Sequence, residues 1–152
     1  MMERTSEKLA ARAKAVHILK KLPVFKGLLE DEYFKVLSMC SSKSLPQGET
    51  LFKQGDYGAS MFILLSGEVD INVEGVGTVH VMQAGEILGE ISLVSRVPRT
   101  ASAVTRSDCV LLQLYAEILH DLVGKYPRMG YVIMRNIAAI LAERVVQKNQ
   151  NQ

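Results

Sequence analysis

The spacing of hydrophobic and polar residues changes twice along the chain. From about Arg4 to Lys20, Ala, Leu, Lys, Glu and Arg follow one another without proline or glycine, and Leu9, Ala13 and Val16 recur at helical spacing. This predicts a helix with one modest apolar face, ended by Pro23. A second helix is predicted from Glu30 to about Cys40, with Glu30, Asp31 and Glu32 near its positive end. From Ser44 to about Leu114 the period falls to two. Val69, Ile71 and Val73 alternate with Asp70, Asn72 and Glu74, and Val79 and Val81 alternate with Thr78, His80 and Met82. Turn signals at Gly48-Glu49, Gly55-Asp56, Ser66-Gly67, Gly75 with Gly77, and Gly85-Glu86 break these runs into short strands, and Asp108 to Leu114 reads as a closing strand.

Helical spacing returns after Ala116. A short helix is predicted from Glu117 to Gly124, before Tyr126-Pro127, where proline disfavours helix in the preceding residue. Beyond Met129, the positions Met134, Ala138, Leu141 and Val145 fall on one stripe, and Ile133, Ile137 and Ile140 on the adjoining one. So broad an apolar face must bury on the strands, on a ligand or on another subunit. The fold class is therefore α+β and mainly β, with strands confined to the centre and helices to the two ends.

Composition narrows the function without naming it. The 152 residues are 48% hydrophobic and 22% charged, the balance of one globular domain that needs no metal or disulfide staples. With 18 basic and 16 acidic residues, the net charge of +2 argues against a strongly electrostatic nucleic-acid binder. The basic excess before Lys26 reads as a solvated helix face. The longest apolar run, Ile137 to Ala142, is too short to cross a membrane, and the polar start lacks a secretory apolar stretch. A cytoplasmic location is expected. Cys40 and Cys109 form no close pair, and His17, His80 and His120 have no metal-ligand spacing, so no metal is expected. No nucleophile elbow or Walker loop appears, and an enzyme is not expected.

One segment departs from the alternation: Gly85-Glu-Ile-Leu-Gly-Glu-Ile-Ser-Leu-Val-Ser-Arg-Val-Pro-Arg99-Thr-Ala-Ser-Ala. Gly89 permits a close backbone approach and begins a helix-like turn, whose first N–H groups favour an anion. Arg99 supplies a planar fork of donors suited to phosphate, and Glu90 an acceptor suited to a sugar hydroxyl. The same two residues also fit a simple ion pair that fastens the loop. Spacing alone leaves both readings open.

This segment resembles the phosphate-binding cassette of the cyclic nucleotide-binding domain family. Leu88-Gly89-Glu90-Ile91-Ser92-Leu93 followed by Pro98-Arg99-Thr100-Ala101 carries the likeness. Pro46-Gln47-Gly48-Glu49, Gln54-Gly55-Asp56, Phe62 to Val69, and the leader Leu22 to Leu28 extend it to roughly residues 18–146. Leu88 and Ser92 depart from the family's usual Phe and Ala or Gly. The resemblance implies an antiparallel β-roll, a jelly-roll-like double-stranded β-helix, over residues 44–115 with the cassette at 85–103. A helical leader at 1–43 and lid or signalling helices at 116–152 would flank it within one domain. By the same resemblance Glu90 would accept from the ribose 2′-hydroxyl, Arg99 would pair with the cyclic phosphate, and Gly89, Ile91 and Ala101 would add backbone N–H groups. Ser92 would crowd the site or add a hydroxyl, and Thr100 would reach phosphate and purine. Ile71 and Val79, on inward-facing positions, would line the sugar and base, or be plain core.

The function so implied is a sensor of cyclic AMP or cyclic GMP that signals through its C-terminal helix. Beyond the nucleotide no cofactor is expected. The alternative is a β-roll that binds no ligand and works through protein contacts. Expected partners are the nucleotide, an unidentified protein and a second copy through the C-terminal helix. Because the sequence stops at Gln152, no DNA is expected, and no membrane.

Overall fold

The computed structural model describes residues 2–150. The chain clusters into two compact units, where the sequence expectation is one domain. Ser38–Leu119 forms the first, and the chain up to Leu37 with the chain from His120 forms the second. The expected β-roll is present in the Ser38–Leu119 unit. Its strands are β1 (Ser41–Leu45), β2 (Thr50–Phe52), β3 (Ser60–Ser66), β4 (Val69–Val73), β5 (Gly77–Met82), β6 (Ile87–Leu88), β7 (Ser102–Thr105) and β8 (Cys109–Tyr115). They make two antiparallel sheets, ordered β1-β8-β3-β6 and β2-β7-β4-β5. The chain passes repeatedly from one sheet to the other. Only the β4–β5 connection joins strands consecutive in both sequence and sheet, at the turn marked by Gly75 and Gly77.

The alternating residues form the core of the roll. Phe62 and Leu64 of β3 and Cys109 and Leu111 of β8 pack in one cluster with Val69 and Ile71 of β4, Met82 of β5 and Ala103 of β7. Burying these side chains stabilises the roll by roughly 1.5–3 kcal/mol for each large one. β1 begins at Ser41, ahead of the expected start at Ser44, because it is an edge strand paired only with β8. Such a strand tolerates the polar sequence Ser-Ser-Lys-Ser, and its lysine discourages pairing with other chains.

In the helical unit, α1 (Met2–Lys21) and α4 (Pro127–Gln150) both pack on a 3-10 turn at Pro23–Phe25. Proline starts that turn well, since its missing N–H is not needed there. Leu19, Val24, Phe25, Ile133 and Ile137 are all fully buried. The two stripes of α4 thus part company. Ile133 and Ile137 are buried, whereas Tyr131, Met134 and Val145 are 65%, 40% and 59% exposed. Asn136 on α4 donates through Nδ2 to the carbonyls of Val24 (3.0 Å) and Lys26 (2.8 Å). α3 (Ala116–Lys125) meets α4 at Gly130, where a Cβ would lie 2.7 Å from Val123 Cγ2.

The start of α2 (Glu30–Met39) is fixed by Glu32. Its Oε1 accepts from the backbone N–H of Leu29 at 2.7 Å and from Arg128 of α4. Burial pushes the Glu32 carboxyl up, but the Leu29 N–H, Arg128 and Lys35 together hold it below its ordinary value. A depressed carboxyl stabilises the fold at pH values above its unfolded pKa of about 4.3, and the contribution is lost as pH falls through the lower folded value. Glu32→Gln is expected to cost roughly 1–3 kcal/mol at pH 7 and to flatten the acid limb of the stability curve. Thermal unfolding from pH 7 to pH 3 checks this, and coincident curves for the two proteins would refute it.

Candidate functional site

Arg99 is the centre of the site. It is 8% exposed, although it lies in a loop. The backbone holds it from both sides: Arg99 N–H donates to Asp56 O at 2.7 Å, and Gly55 N–H donates to Arg99 O at 2.8 Å. A bridge between Tyr57 and Pro98 continues this pairing, so the β2–β3 loop and the cassette exit are joined as a short ladder. Arg99 Nη1 donates to Ser92 Oγ at 2.9 Å and Nη2 to the Ser60 carbonyl at 2.8 Å. The guanidinium carbon lies 4.3 Å from the Phe52 ring centroid and 5.9 Å from that of Phe62. Ser60 is itself supported, its hydroxyl accepting from Gln113 Nε2 at 2.8 Å.

Two glycines make room for this cation. A Cβ on Gly89 would sit 2.3 Å from Arg99 Nη1, and Gly89 also has φ +86°, a left-handed conformation that side chains resist. It begins the 3-10 turn Glu90–Leu93, where Ser92 N–H donates to Gly89 O at 3.0 Å. A Cβ on Gly58 would sit 2.1 Å from Arg99 Nε. That nitrogen is buried and has no hydrogen-bond partner among the described residues. The ion pairs among the described residues include none to Arg99. Burial pulls the guanidinium pKa down, and the field of Asp56 opposes it. The result is a buried cation held by a hydroxyl, a carbonyl and two aromatic rings.

The profile of the cyclic nucleotide-binding domain matches residues 42–126, which include every element of this site. The chain belongs to the cyclic nucleotide-binding domain family. It is 34% identical over 131 residues to a cyclic AMP receptor protein of Thermus thermophilus, covering 84% of this chain and 59% of that protein. It is 34% identical over 91 residues to a cAMP-dependent protein kinase regulatory subunit of Mucor circinelloides, covering 60% of this chain and 21% of that one. Among solved structures, the N-terminal domain of a transcriptional regulator from Streptomyces coelicolor superposes with a TM-score of 0.77 at 26% identity, covering 84% of this chain and 94% of that one. The chain spans less than two thirds of the length of both relatives. By name the first is a receptor, the second a regulatory subunit and the third part of a regulator.

The cyclic nucleotide-binding cassette brings together some of the residues marked in the sequence and not others. Gly89, Ser92 and Arg99 are in mutual contact, and Glu90 is buried on the same turn at 3% exposure. The simple Glu90–Arg99 ion pair is not formed, since Arg99 uses Ser92 and Ser60. Ile91 and Ala101 are half-buried, and Thr100 is exposed beside the arginine. Ile71 belongs to the apolar core cluster. Val79 corrects the sequence expectation, being 52% exposed and not inward-facing. In the β4–β5 pair the core residue Val69 faces the buried Met82, and Asp70 faces Val81, so Met82 and not the valine set lies on the core face of β5. Val79 is itself unpaired, at a register shift between the Ile71–His80 and Asn72–Thr78 pairs.

Gly58, Ser60, Phe52 and Gln113 are contact residues that the sequence did not mark. Only Gly58 carried a signal, as a glycine three residues after the Gly55-Asp56 turn. Among the described residues, no cluster of His, Cys, Asp or Glu fits a metal ion, and no helix is long and apolar enough to cross a membrane.

Gly58→Ala tests the close approach cleanly, because the φ of Gly58 is not in the left-handed region. The expected outcome is a folded protein in which the added methyl displaces the guanidinium. The loss of both Arg99 side-chain hydrogen bonds should cost roughly 1–3 kcal/mol. Denaturant unfolding measures the cost. Stability equal to the parent would show that the contact at Gly58 has no energetic weight.

Proposed function

We propose that this chain is a regulatory module that binds a cyclic nucleoside monophosphate, cyclic AMP or cyclic GMP, through its cassette. One observation carries the reading: Arg99 is a buried cation whose hydrogen-bond partners are all neutral. Burying a charge is costly unless an opposite charge accompanies it. A cyclic phosphodiester supplies a single negative charge of matching size. Glu90, buried on the same turn, is the acceptor for the ribose 2′-hydroxyl. Backbone N–H groups of Gly89, Ile91 and Ala101 add to the phosphate end, and exposed Thr100 is the hydroxyl nearest the arginine in sequence. The names of the relatives, a cyclic AMP receptor protein and a kinase regulatory subunit, point the same way. The module needs no cofactor besides its ligand and no catalytic group.

Isothermal titration of nucleotide-free protein with both nucleotides tests the reading. Arg99→Ala is expected to weaken binding by roughly 2–5 kcal/mol, about 30- to 5,000-fold. Glu90→Ala should cost about 1–3 kcal/mol as lost hydrogen bonds. Thr100→Ala should weaken cyclic GMP by roughly 1 kcal/mol more than cyclic AMP, through a hydrogen bond to the guanine amino group. A parent protein that binds neither nucleotide would favour the alternative, a roll acting through protein contacts alone.

The output partner in this reading is a second copy through α4. Tyr131, Met134, Ala138, Leu141 and Val145 follow one another at intervals of three and four residues, the seam spacing of paired helices. Tyr131 and Val145 are well over half exposed, and Ala138 is exposed between them. Ligand that binds two arrangements of the chain unequally shifts the balance between them. Met134→Lys is expected to raise the dimer dissociation constant about tenfold or more by placing a charge in the seam. Sedimentation equilibrium measures it, and an unchanged self-association constant would remove α4 as the contact.

A further inference from the structure

We infer that the Ser92 hydroxyl is a positioning group that fixes the rotation of the Arg99 guanidinium, so that its free edge is presented to the phosphate in one orientation. The inference rests on the reading that this site binds a cyclic nucleotide. A planar cation on a flexible stem needs several contacts before its donors point one way. Arg99 has one ring face against Phe52, one anchor on the Ser60 carbonyl and one on Ser92 Oγ. The Ser60 anchor is backbone, carried by β3, and no side-chain substitution removes it directly. The Ser92 anchor is a side chain and is removable.

Ser92 is well placed to hold rather than follow. It is 7% exposed, and its own N–H is bonded to Gly89 O, so the hydroxyl stands on a fixed turn. The chemistry of the anchor also matters. A carboxylate in the place of Ser92 would orient Arg99 but neutralise it, and an incoming anion would then compete with the anchor. A hydroxyl orients the group and leaves its charge whole. Alanine at this position would keep the turn and the cation but lose the orientation.

The test combines nucleotide titration with nitrogen-15 spectra of the Arg99 side chain. In the parent, slow rotation of the guanidinium is expected to give separate Nη signals, and in Ser92→Ala these should merge. Ser92→Ala should bind cyclic AMP or cyclic GMP about tenfold more weakly, the loss expected for one hydrogen bond to a charged group. Ser92→Thr, which keeps the hydroxyl, should stay close to the parent in both measurements. In an Arg99→Lys background, Ser92→Ala should change affinity by less than about twofold, because the group it positions is gone. Separate Nη signals that persist in Ser92→Ala overturn the inference. So does parent-like affinity, or an equal loss in the Arg99→Lys background. Should the parent bind neither nucleotide, the functional reading fails on its own, and the Arg99 spectra of the parent and Ser92→Ala still decide whether the hydroxyl holds the guanidinium.

Discussion

A guanidinium removed from water, with hydrogen bonds only to neutral groups, constrains everything around Arg99. Its donors must be met, and Ser92 and the Ser60 carbonyl meet them. Its volume must be accommodated, and Gly58 and Gly89 leave the space. Its backbone must be fixed, and the ladder from Gly55 to Tyr57 against Pro98 and Arg99 fixes it. These features come from three separate stretches of chain. Each looks incidental alone, and together they explain why residues 85–103 abandon the alternation that rules the rest of the roll.

The two sheets explain why such a site keeps its shape. The strands flanking the cassette are anchored in different sheets, β6 against β3 and β7 between β2 and β4. The loop therefore hangs between two supports held together by one apolar cluster. Groups mounted on rigid elements bind with less ordering cost than groups on free loops. Gln113 extends the support from β8 through the Ser60 hydroxyl.

Much of this was legible in the sequence, and the exceptions have local causes. Alternation at Val69, Ile71 and Val73 gave β4 directly, and the glycine pairs marked the turns. The cassette was legible because its chemistry requires a glycine, an acid and an arginine in fixed order. Val79 was misplaced because β5 offers an apolar residue on both faces, and the pairing of Val69 with Met82 turns Met82 to the core and not the valines. The start of β1 was missed because an edge strand needs no apolar face. Phe52 and Ser60 were invisible as site residues because strand pairing and the loop between them bring them to Arg99 from far along the chain, and Gln113 because it reaches the site only through Ser60. The adjoining stripes of α4 were both seen, but which one the fold buries was decided by the 3-10 turn at Pro23–Phe25, which no local pattern on α4 records.

The pairing of β1 with β8 has a consequence for how the roll is made. Ser41 lies opposite Gln113 and Leu45 opposite Cys109, so the first strand finds its only neighbour in the last. During synthesis β1 waits through the whole roll before its hydrogen bonds have partners. Most other ladders also join strands far apart in sequence, and loop closure must precede the gain from each. Such topologies fold slowly for their size. The β4–β5 hairpin is the local exception and the natural place for structure to begin. Until β8 arrives the polar, lysine-bearing β1 is an open edge, and its sequence suits an edge that must stay solvated while it waits.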